Sequence, residues 1–486
     1  MLQGTGSDVG KSVLTAALCR TAKRRGLSVA PFKPQNMSNN AMACADGGEI
    51  GRAQALQARA AGLEPNTDMN PVLLKPQSDR AAQIVLQGKA LTTMEAADYI
   101  AKRDRLMGAV LDSFTRLSET HDLVLVEGAG SPAEVNLRQR DIANMGFARA
   151  ANVPVCLIGD IDKGGLIASL VGTQNVLSPD DAAMIKGFVV NKFRGDPRLF
   201  DDGVTFIEDR TNWPCLGVIP WLHATAKLPA EDAVILDKPS ESNSGRLKIA
   251  APMLSRIANF DDADPLKLEP NVDFQWVPPG KPIPRDTDLI ILFGTKSTLA
   301  DLAFLKTQNW HHDIIAHANT GGHVLGICGG YQMLGKRVRD PGGYDGPLGD
   351  AEGLGLLDVE TIMTNSKRVA QAQAISVETG AAITGYEIHT GETTGNDTCH
   401  PFSKIQDRED GARSSNGHIQ GTYLHGAFAD DTFRNAWLDR LGAKASSDLN
   451  YESAIEGALE ELADGVEAAL DIEALFSLAE KPSVSR

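Results

Sequence analysis

The sequence lacks an excess of basic residues. It has 47 Lys and Arg against 63 Asp and Glu over 486 residues, which gives a formal net charge of −16. A chain this acidic is poorly suited to non-specific binding of nucleic acid or of anionic membranes, so neither is expected as a partner. Any anionic substrate must therefore meet a local cluster of basic side chains.

Paired cysteines and long apolar runs are also missing. The six cysteines are scattered and none forms a Cys-x-x-Cys pair, so neither a disulfide framework nor a zinc site is predicted. No apolar run approaches the roughly eighteen residues of a membrane span. The pattern is typical of a reduced cytoplasmic enzyme in which one cysteine is available for chemistry.

A phosphate-binding loop opens the chain. Residues 4–12 read Gly-Thr-Gly-Ser-Asp-Val-Gly-Lys-Ser and run into an apolar-periodic segment that predicts a helix. In such a loop the backbone N–H groups face the anion, Lys11 reaches the outer phosphates, and the Ser12 hydroxyl suits Mg²⁺. The spacing is one residue longer than the usual motif, as in the dethiobiotin-synthetase-like group of nucleotide-dependent carboxylate-activating enzymes. We predict an ATP site at Gly4, Thr5, Gly10, Lys11 and Ser12.

The loop begins unusually early, because only three residues precede Gly4. A phosphate-binding loop should follow a central β-strand. Either the first strand is very short or the chain starts upstream of Met1, and we favour the second explanation. The loop also occupies the place of an N-terminal targeting signal, so none is expected.

Two later strand ends extend the predicted nucleotide site. Glu127 follows four apolar residues, where its carboxylate can help Ser12 to hold Mg²⁺. A glutamate in an ordinary turn is the alternative, which the nearby phosphate loop disfavours. Asn191 ends another apolar run, and an asparagine in this place often reads the adenine edge, although the motif is not specific by itself.

Basic residues at further strand ends are candidates for holding an anionic substrate. Lys33 and Lys75 each follow an apolar run and precede a proline, and a later segment brings Arg138, Arg140 and Asp141 to the same edge of the sheet. Surface solvation is the alternative for each of them. An acidic protein needs such groups around a carboxylate substrate.

The length exceeds one hydrophobic core, so two or three domains are expected. Strands alternate with helices, which predicts parallel sheets covered on both faces. Residues 222–248 are rich in Pro, Ser and acids, as at a domain boundary. We predict an ATP-dependent, carboxylate-activating synthetase domain at 1–225, a linker at 226–247, a second α/β domain at 248–448, and a helical tail at 449–486 whose acids face solvent.

The second domain carries a cysteine on a glycine-rich turn. Residues 326–330 read Gly-Ile-Cys-Gly-Gly, the thiol counterpart of the strand–turn–helix elbow that exposes a nucleophile. A helix beginning just after Cys328 favours the thiolate. The backbone N–H of Gly329 and a donor from the Gly294 turn are the predicted oxyanion hole. His425, at a later strand end, is the predicted base.

Five runs resemble the cobyric acid synthase family, the glutamine-dependent amidotransferases of adenosylcobalamin biosynthesis. In chain order they are Gln-Gly-Thr-Gly-Ser-Asp-Val-Gly-Lys-Ser, Pro-Phe-Lys-Pro-Gln-Asn-Met-Ser, Gly-Gly-Glu-Ile-Gly-Arg-Ala-Gln-Ala, Val-Glu-Gly-Ala-Gly-Ser-Pro-Ala-Glu and Asp-Ile-Ala-Asn-Met-Gly. The resemblance implies a P-loop, dethiobiotin-synthetase-like domain followed by a class I glutamine amidotransferase domain. The pair Glu387 and His389 also recurs in the family and is expected near the site.

One position departs from the general class I pattern. The acid two residues after the histidine would fall at Ala427. The branch that this sequence resembles also lacks that acid, which implies a Cys328–His425 dyad. Another group must then orient the imidazole, or glutamine hydrolysis is modest until the partner site is filled.

The resemblance implies a reaction in two parts. L-Glutamine releases ammonia at Cys328, and ATP with Mg²⁺ converts the b, d, e and g carboxylates of adenosylcobyrinic acid a,c-diamide, in turn, to acyl phosphates that ammonia attacks. The alternatives are the sister enzyme that amidates the a and c carboxylates of cobyrinic acid, and a P-loop scaffold ATPase with an inactive glutaminase-like domain. The loop around Lys33 and the Asp-Ile-Ala-Asn-Met run disfavour the sister enzyme, and intact Cys328 and His425 disfavour the scaffold. No oligomeric state follows from the sequence.

Overall fold

The computed structural model describes residues 1–77, 81–231, 246–346, 349–443 and 448–481. Most of the predicted linker, residues 232–245, lies outside the described residues. Within the described ranges, no helix combines the length and apolar character needed to cross a membrane.

Helices and strands alternate along much of the chain. The helices are α1 (Lys11–Arg24), α2 (Arg52–Ala61), α3 (Ala96–Thr120), α4 (Met145–Ala150), α5 (Leu166–Val176), α6 (Pro179–Ala182), α7 (Asp201–Thr211), α8 (Asp264–Lys267), α9 (Thr298–Thr307), α10 (Trp310–Asn319), α11 (Gly329–Leu334), α12 (Asp431–Arg440), α13 (Tyr451–Ala469) and α14 (Ile472–Ser477). The strands are β1 (Leu2–Gly4), β2 (Val29–Phe32), β3 (Gln35–Met37), β4 (Ala41–Ala43), β5 (Glu49–Gly51), β6 (Val72–Pro76), β7 (Ala81–Leu86), β8 (Lys89–Glu95), β9 (Leu123–Val126), β10 (Val155–Asp160), β11 (Ile185–Phe193), β12 (Cys215–Pro220), β13 (Leu247–Pro252), β14 (Ile257–Ala258), β15 (Val272–Val277), β16 (Leu289–Leu292), β17 (Gly294–Thr295), β18 (His323–Ile327), β19 (Arg337–Asp340), β20 (Gly349–Glu352), β21 (Val359–Ser376), β22 (Ala382–Gly395), β23 (Ser403–Ile405), β24 (Arg408–Asp410), β25 (Ala412–Arg413), β26 (Ile419–Thr422) and β27 (Leu424–His425).

The first half is built on a parallel sheet, as the alternating pattern predicts. Strands β1, β10, β11 and β12 pair in that order, and β2 pairs with β9. A parallel bridge between Leu2 and Glu127 joins the two groups. Strand β1 is three residues long, and all three pair with β10. The phosphate-binding loop therefore follows a short central strand and lies at the carboxyl edge of the sheet, where ligands bind in open α/β folds.

The second half contains two large sheets and a two-stranded antiparallel pair, β14 with β17. Strands β15, β13, β16, β18 and β26 form a parallel sheet with β25 antiparallel at its edge. The long strands β21 and β22 form the centre of the other sheet, which also includes β19, β20, β23, β24 and β27. Strand β18 leads to Cys328 and β27 ends at His425, so the two sheets meet where the predicted nucleophile and base lie.

The C-terminal helix α13 packs against the first domain. Its Leu459 and Leu462 are buried in one cluster with Leu14 and Leu18 of α1. The acids on its polar side do not simply face solvent as expected, because Arg20 donates hydrogen bonds to Glu456 (2.7 Å) and Glu460 (2.8 Å) and the neighbouring Arg24 and Arg59 also pair with this face. The helical tail is therefore part of the nucleotide-binding half.

A buried ion pair stabilises the second half and supplies a stability prediction. Arg434 of α12 is fully buried, and its Nε donates to Glu269 at 2.6 Å. Arg434→Met would leave the Glu269 carboxylate buried without its partner, so the free energy of unfolding should fall by about 3–5 kcal/mol. Urea unfolding followed by circular dichroism measures this. Arg339→Met, which removes an exposed arginine, should change stability by less than about 1 kcal/mol, and an equal loss in both variants would contradict the prediction.

Candidate active sites

The phosphate-binding loop has the conformation that its glycines predict. Gly10 has a φ of 97°, in the left-handed region, and a Cβ there would lie 2.4 Å from the amide nitrogen of Asn191. The Lys11 ammonium donates to the carbonyl oxygens of Gly6 at 2.9 Å and Gly130 at 3.2 Å. These contacts hold the ammonium over the loop, where the outer phosphates of a nucleotide would lie.

Oxygen-bearing side chains gather beside Lys11. The Ser12 hydroxyl lies 2.6 Å from Oε1 of Glu127 and also hydrogen-bonds to Glu231. Lys33 donates to the same two carboxylates, at 2.9 and 2.5 Å. Burial alone would lower the pKa of Lys33, but the two carboxylates raise it above its usual value, so the ammonium stays charged. A hydroxyl and two carboxylates are ligands that fit Mg²⁺.

Glu231 was not predicted from the sequence. It lies in the predicted linker, next to the undescribed residues 232–245, and belongs to no motif. Its backbone carbonyl accepts hydrogen bonds from Ser38 and Asn40, both at 3.0 Å. The loop between β3 and β4 therefore holds this glutamate against Ser12, which only the folded chain could reveal.

The predicted nucleotide and substrate residues near this edge have different surroundings. Asn191 is buried and donates to the carbonyl oxygen of Val9 at 2.8 Å, so it lies against the loop and its adenine contact stays a prediction. Arg138 is paired with Asp181 at 2.6 and 2.8 Å. Asp141 accepts backbone N–H groups of residues 143, 144 and 146. Arg138 and Asp141 thus have hydrogen-bond partners within the chain, whereas Arg140 is exposed, and the substrate roles of all three stay predictions.

Cys328 lies on the sharp turn that the glycine pattern predicts. It joins β18 to α11 with a φ of 53° and a ψ of −112°, a conformation that costs energy for a residue with a side chain. A Cβ on Gly330 would come within 1.9 Å of the Leu292 carbonyl oxygen, so only glycine fits there. Gly294 faces both active groups, because a Cβ on it would lie 3.6 Å from Cys328 Cβ and 3.3 Å from His425 Cε1.

An acid from elsewhere in the chain contacts the predicted base, as expected if another group orients the imidazole in place of an acid at position 427. His425 Nδ1 lies 2.7 Å from Oδ2 of Asp262. The other oxygen of Asp262 accepts the backbone N–H of Gly426 at 2.6 Å. Both side chains are almost fully buried. Asp262 therefore orients the imidazole so that its other nitrogen is available to Cys328.

Electrostatics keep His425 protonated. Burial by itself would lower its pKa, but the Asp262 carboxylate and a hydrogen bond to Cys328 raise the pKa to about 10. A cation beside a thiol favours the thiolate, which is the nucleophilic form. Because the pKa is raised on folding, the stabilising contribution of this pair is complete below pH 6.5 and is lost as the pH rises through about 10.

The turn that carries Asp262 is bound to the first domain by hydrogen bonds and an ion pair. Asn259 donates its backbone N–H to Asn40 at 2.7 Å, and its side chain bonds both backbone groups of Ala41. Asp261 pairs with Arg52 at 2.8 Å. Asp262 is therefore positioned by contacts with the half of the chain that carries the phosphate-binding loop. No motif marks Asp262, which lies 163 residues before His425.

A cavity in front of Cys328 is lined by both domains. The first domain contributes Asn39, Lys75 and Gln83. Lys75 donates to the buried Glu49 at 2.9 Å, and Lys367 also pairs with Glu49. Lys75 was expected at the carboxylate-activating site, but the structure places it in the glutaminase cavity. Strand β6 carries it there.

His389 lines the same cavity, as expected from its motif. Its ring stacks on Tyr423 with the centroids 3.8 Å apart, and its Nε2 lies 3.7 Å from Glu387 Oε1. Burial would raise the pKa of Glu387, but His389 and the arginines Arg368 and Arg408 lower it to about 2. His389 therefore forms part of the cavity wall, and the neighbouring Glu387 carboxylate stays ionised.

Asp262→Asn should reduce glutamine hydrolysis by about 10²–10⁴-fold, because the imidazole loses the carboxylate that orients it and stabilises its protonated form. Without that carboxylate, burial lowers the pKa of His425, so the basic limb of the pH profile should move to lower pH. Glutamate release measured from pH 5 to 10 tests both effects. Asp264→Asn, two residues after Asp262, is the control and should keep the native pH profile. A native pH profile in the Asp262→Asn variant would contradict the role of Asp262 in orienting His425.

The fold and the two sites define a class of protein: an ATP-using P-loop domain coupled to a cysteine-dependent amidotransferase domain. A family model described as the CobQ/CobB/MinD/ParA nucleotide binding domain matches residues 1–235. A second, described as the CobB/CobQ-like glutamine amidotransferase domain, matches residues 248–433.

Curated relatives narrow the class to one family. The chain is 63% identical to the cobyric acid synthase of Hyphomonas neptunium, over 99% of this chain and 97% of that protein. It is 62% identical to that of Paracoccus denitrificans and 59% to that of Bradyrhizobium diazoefficiens, each over 99% of both chains. The chain belongs to the cobyric acid synthase family. It is a glutamine amidotransferase with a nucleotide-binding domain, which implies ATP use.

Proposed function

We propose that this chain amidates the b, d, e and g carboxylates of adenosylcobyrinic acid a,c-diamide, using ATP, Mg²⁺ and L-glutamine. One observation carries the proposal: the Cys328–His425–Asp262 triad and the P-loop cluster lie in one chain and are joined through the loop that ends at Asn40. That loop contacts Glu231 on one side and the turn of Asp262 on the other. A chain with these two sites can make ammonia and consume it.

The triad releases ammonia from glutamine. The Cys328 thiolate attacks the side-chain amide carbon, and the backbone N–H groups near Gly329 and Gly294 stabilise the oxyanion. His425 gives its proton to the departing nitrogen, so that NH₃ leaves and a thioester remains. Water, deprotonated by His425, then cleaves the thioester to glutamate and restores the thiol. Asp262 holds the imidazole in one orientation throughout.

The P-loop site activates the acceptor carboxylate. One carboxylate oxygen attacks the γ-phosphorus of ATP, ADP leaves, and the resulting acyl phosphate is attacked by NH₃ with loss of phosphate. Lys11 faces the outer phosphates, and the charged Lys33 lies where negative charge develops. Ser12, Glu127 and Glu231 are the side chains that fit Mg²⁺, whose charge would offset that of the phosphates.

Mass spectrometry of the corrinoid tests the assignment. Adenosylcobyrinic acid a,c-diamide incubated with ATP, Mg²⁺ and glutamine should show four successive mass shifts, each matching exchange of an acid for an amide. Omitting ATP should leave the substrate unchanged. Cobyrinic acid, offered in parallel, should not be amidated at its a and c carboxylates.

Two outcomes would contradict the proposal. Amidation of cobyrinic acid in place of its a,c-diamide would assign the chain to the sister reaction. ATP hydrolysis without any change in either corrinoid would show that the acceptor is a different carboxylate.

A further inference from the structure

The cavity before Cys328 is lined by four charged side chains that the triad does not use, Lys75, Lys296, Asp345 and Lys367. Lys296 follows β17, and Asp345 precedes β20; both line the cavity with Cys328 and Gly329. Asp345 is buried and accepts the backbone N–H of Leu299 at 3.3 Å. Within the described ranges, Lys296 forms no salt bridge, whereas the nearby Lys75 and Lys367 are both paired with Glu49.

Burial destabilises the charged forms of Lys296 and Asp345, and each group compensates the other only in part. It lowers the pKa of Lys296, although Asp345 partly offsets this. It raises the pKa of Asp345 to about 7. A zwitterion placed between them would supply an anion to the lysine and a cation to the aspartate, and so reduce both desolvation penalties.

The first domain adds two unpartnered acceptors to the same cavity. Oδ1 of Asn39 and Oε1 of Gln83 are buried, and neither has a hydrogen-bond partner within the described part of the chain. Buried polar atoms without partners are uncommon in folded proteins and call for an explanation. An ammonium group has three N–H donors, so it can bond a carboxylate and two amide oxygens together.

We propose that the charged head of L-glutamine binds here, with Lys296 holding its α-carboxylate and Asp345, Asn39 and Gln83 accepting hydrogen bonds from its α-ammonium. The inference rests on the proposed glutaminase function and assigns its recognition residues. Three carbons separate the head group from the amide carbon, so a head group bound among these side chains leaves the amide near Cys328.

The same assignment makes the nucleotide-binding half part of the glutamine site. Asn39 belongs to the loop that follows Lys33, and Gln83 lies on β7. Neither residue is in the amidotransferase domain matched at 248–433. Glutamine therefore binds at the junction of the domains, and its head group is fully coordinated only when residues of both domains are in place.

Two glutamine analogues distinguish recognition of the α-carboxylate from recognition of the α-ammonium. Glutaramate lacks the α-amino group, and 4-aminobutanamide lacks the α-carboxylate. Ammonia release from each, and from L-glutamine, is measured as kcat/KM on the full chain with ATP and Mg²⁺ present. Lys296→Met should reduce kcat/KM about 10- to 100-fold for glutamine and glutaramate, but leave that for 4-aminobutanamide unchanged.

Asp345→Asn should show the opposite pattern, with losses of similar size for glutamine and 4-aminobutanamide and none for glutaramate. Asn39→Leu and Gln83→Leu should follow Asp345→Asn with losses of about 2- to 10-fold. Lys336→Met, an exposed lysine paired with Asp358, is the matched control and should behave as the native chain.

Each outcome either supports or contradicts the assignment of the glutamine head-group site. An analogue whose kcat/KM is unchanged shows that the variant is folded and its triad intact, so losses confined to the other amides support the assignment. Equal losses on all three amides, or no loss on glutamine, would overturn it. Native chain that releases no ammonia from glutamine would instead refute the proposed glutaminase function, which separates the two failures.

Discussion

Cys328→Ser is expected to abolish glutamine-dependent amidation, with a loss of at least about 10⁴-fold in glutamate release. A serine hydroxyl is similar in size, so it fits the strained turn between β18 and α11, but His425 in its protonated form cannot remove the hydroxyl proton. The imidazolium that favours a thiolate is thus the wrong partner for an alcohol. Glutamate release and the corrinoid mass measure the loss.

Ammonium chloride distinguishes a lost nucleophile from a misfolded chain. In the Cys328→Ser variant, free ammonia should restore amidation to near the native ammonia-supported rate, because the P-loop site is untouched. Cys399→Ser, at the exposed cysteine, should behave as the native chain with either nitrogen source. Full glutamine-dependent activity in the Cys328 variant would exclude it as the nucleophile.

Lys11→Met should abolish amidation with either nitrogen source, by about 10³-fold or more, because the ammonium held between the carbonyls of Gly6 and Gly130 no longer meets the charge on the transferred phosphoryl group. Methionine keeps most of the length of the side chain and therefore its packing. Phosphate release and corrinoid mass measure the effect.

The comparison with glutamine hydrolysis makes this variant informative. Lys11 does not line the glutaminase cavity, so glutamate release should persist in the Lys11→Met variant. Lys23→Met, at the exposed end of the same helix, should keep both activities. Amidation by ammonia in the Lys11→Met variant would show that the P-loop is not the activating site.

One segment of the first half contacts both sites. The segment from Lys33 to Asn40 begins in the cluster around Ser12 and ends on Asn259, three residues before Asp262. It therefore links the predicted phosphate site to the turn that carries Asp262.

The two reactive loops and the order of the domains could be predicted from the sequence. The phosphate loop and the cysteine elbow are short and continuous, and their glycine spacing marks them; Gly10 is required by its left-handed backbone conformation, and Gly330 by the close approach of Leu292. A local conformation can be recognised from neighbouring residues alone. The alternation of strands and helices likewise predicts parallel sheets because each element buries its own apolar face.

The residues that complete the sites could be identified only from the folded chain. Asp262 reaches His425, and Glu231 reaches Ser12, across separations of 163 and 219 residues. Lys75 lies in the glutaminase cavity because β6 points there, and Arg138 is neutralised by Asp181. A lone acid or lysine carries no local signal of its partner. Its role depends on which distant segment packs against it, and that packing is set by how the whole chain buries its apolar surface.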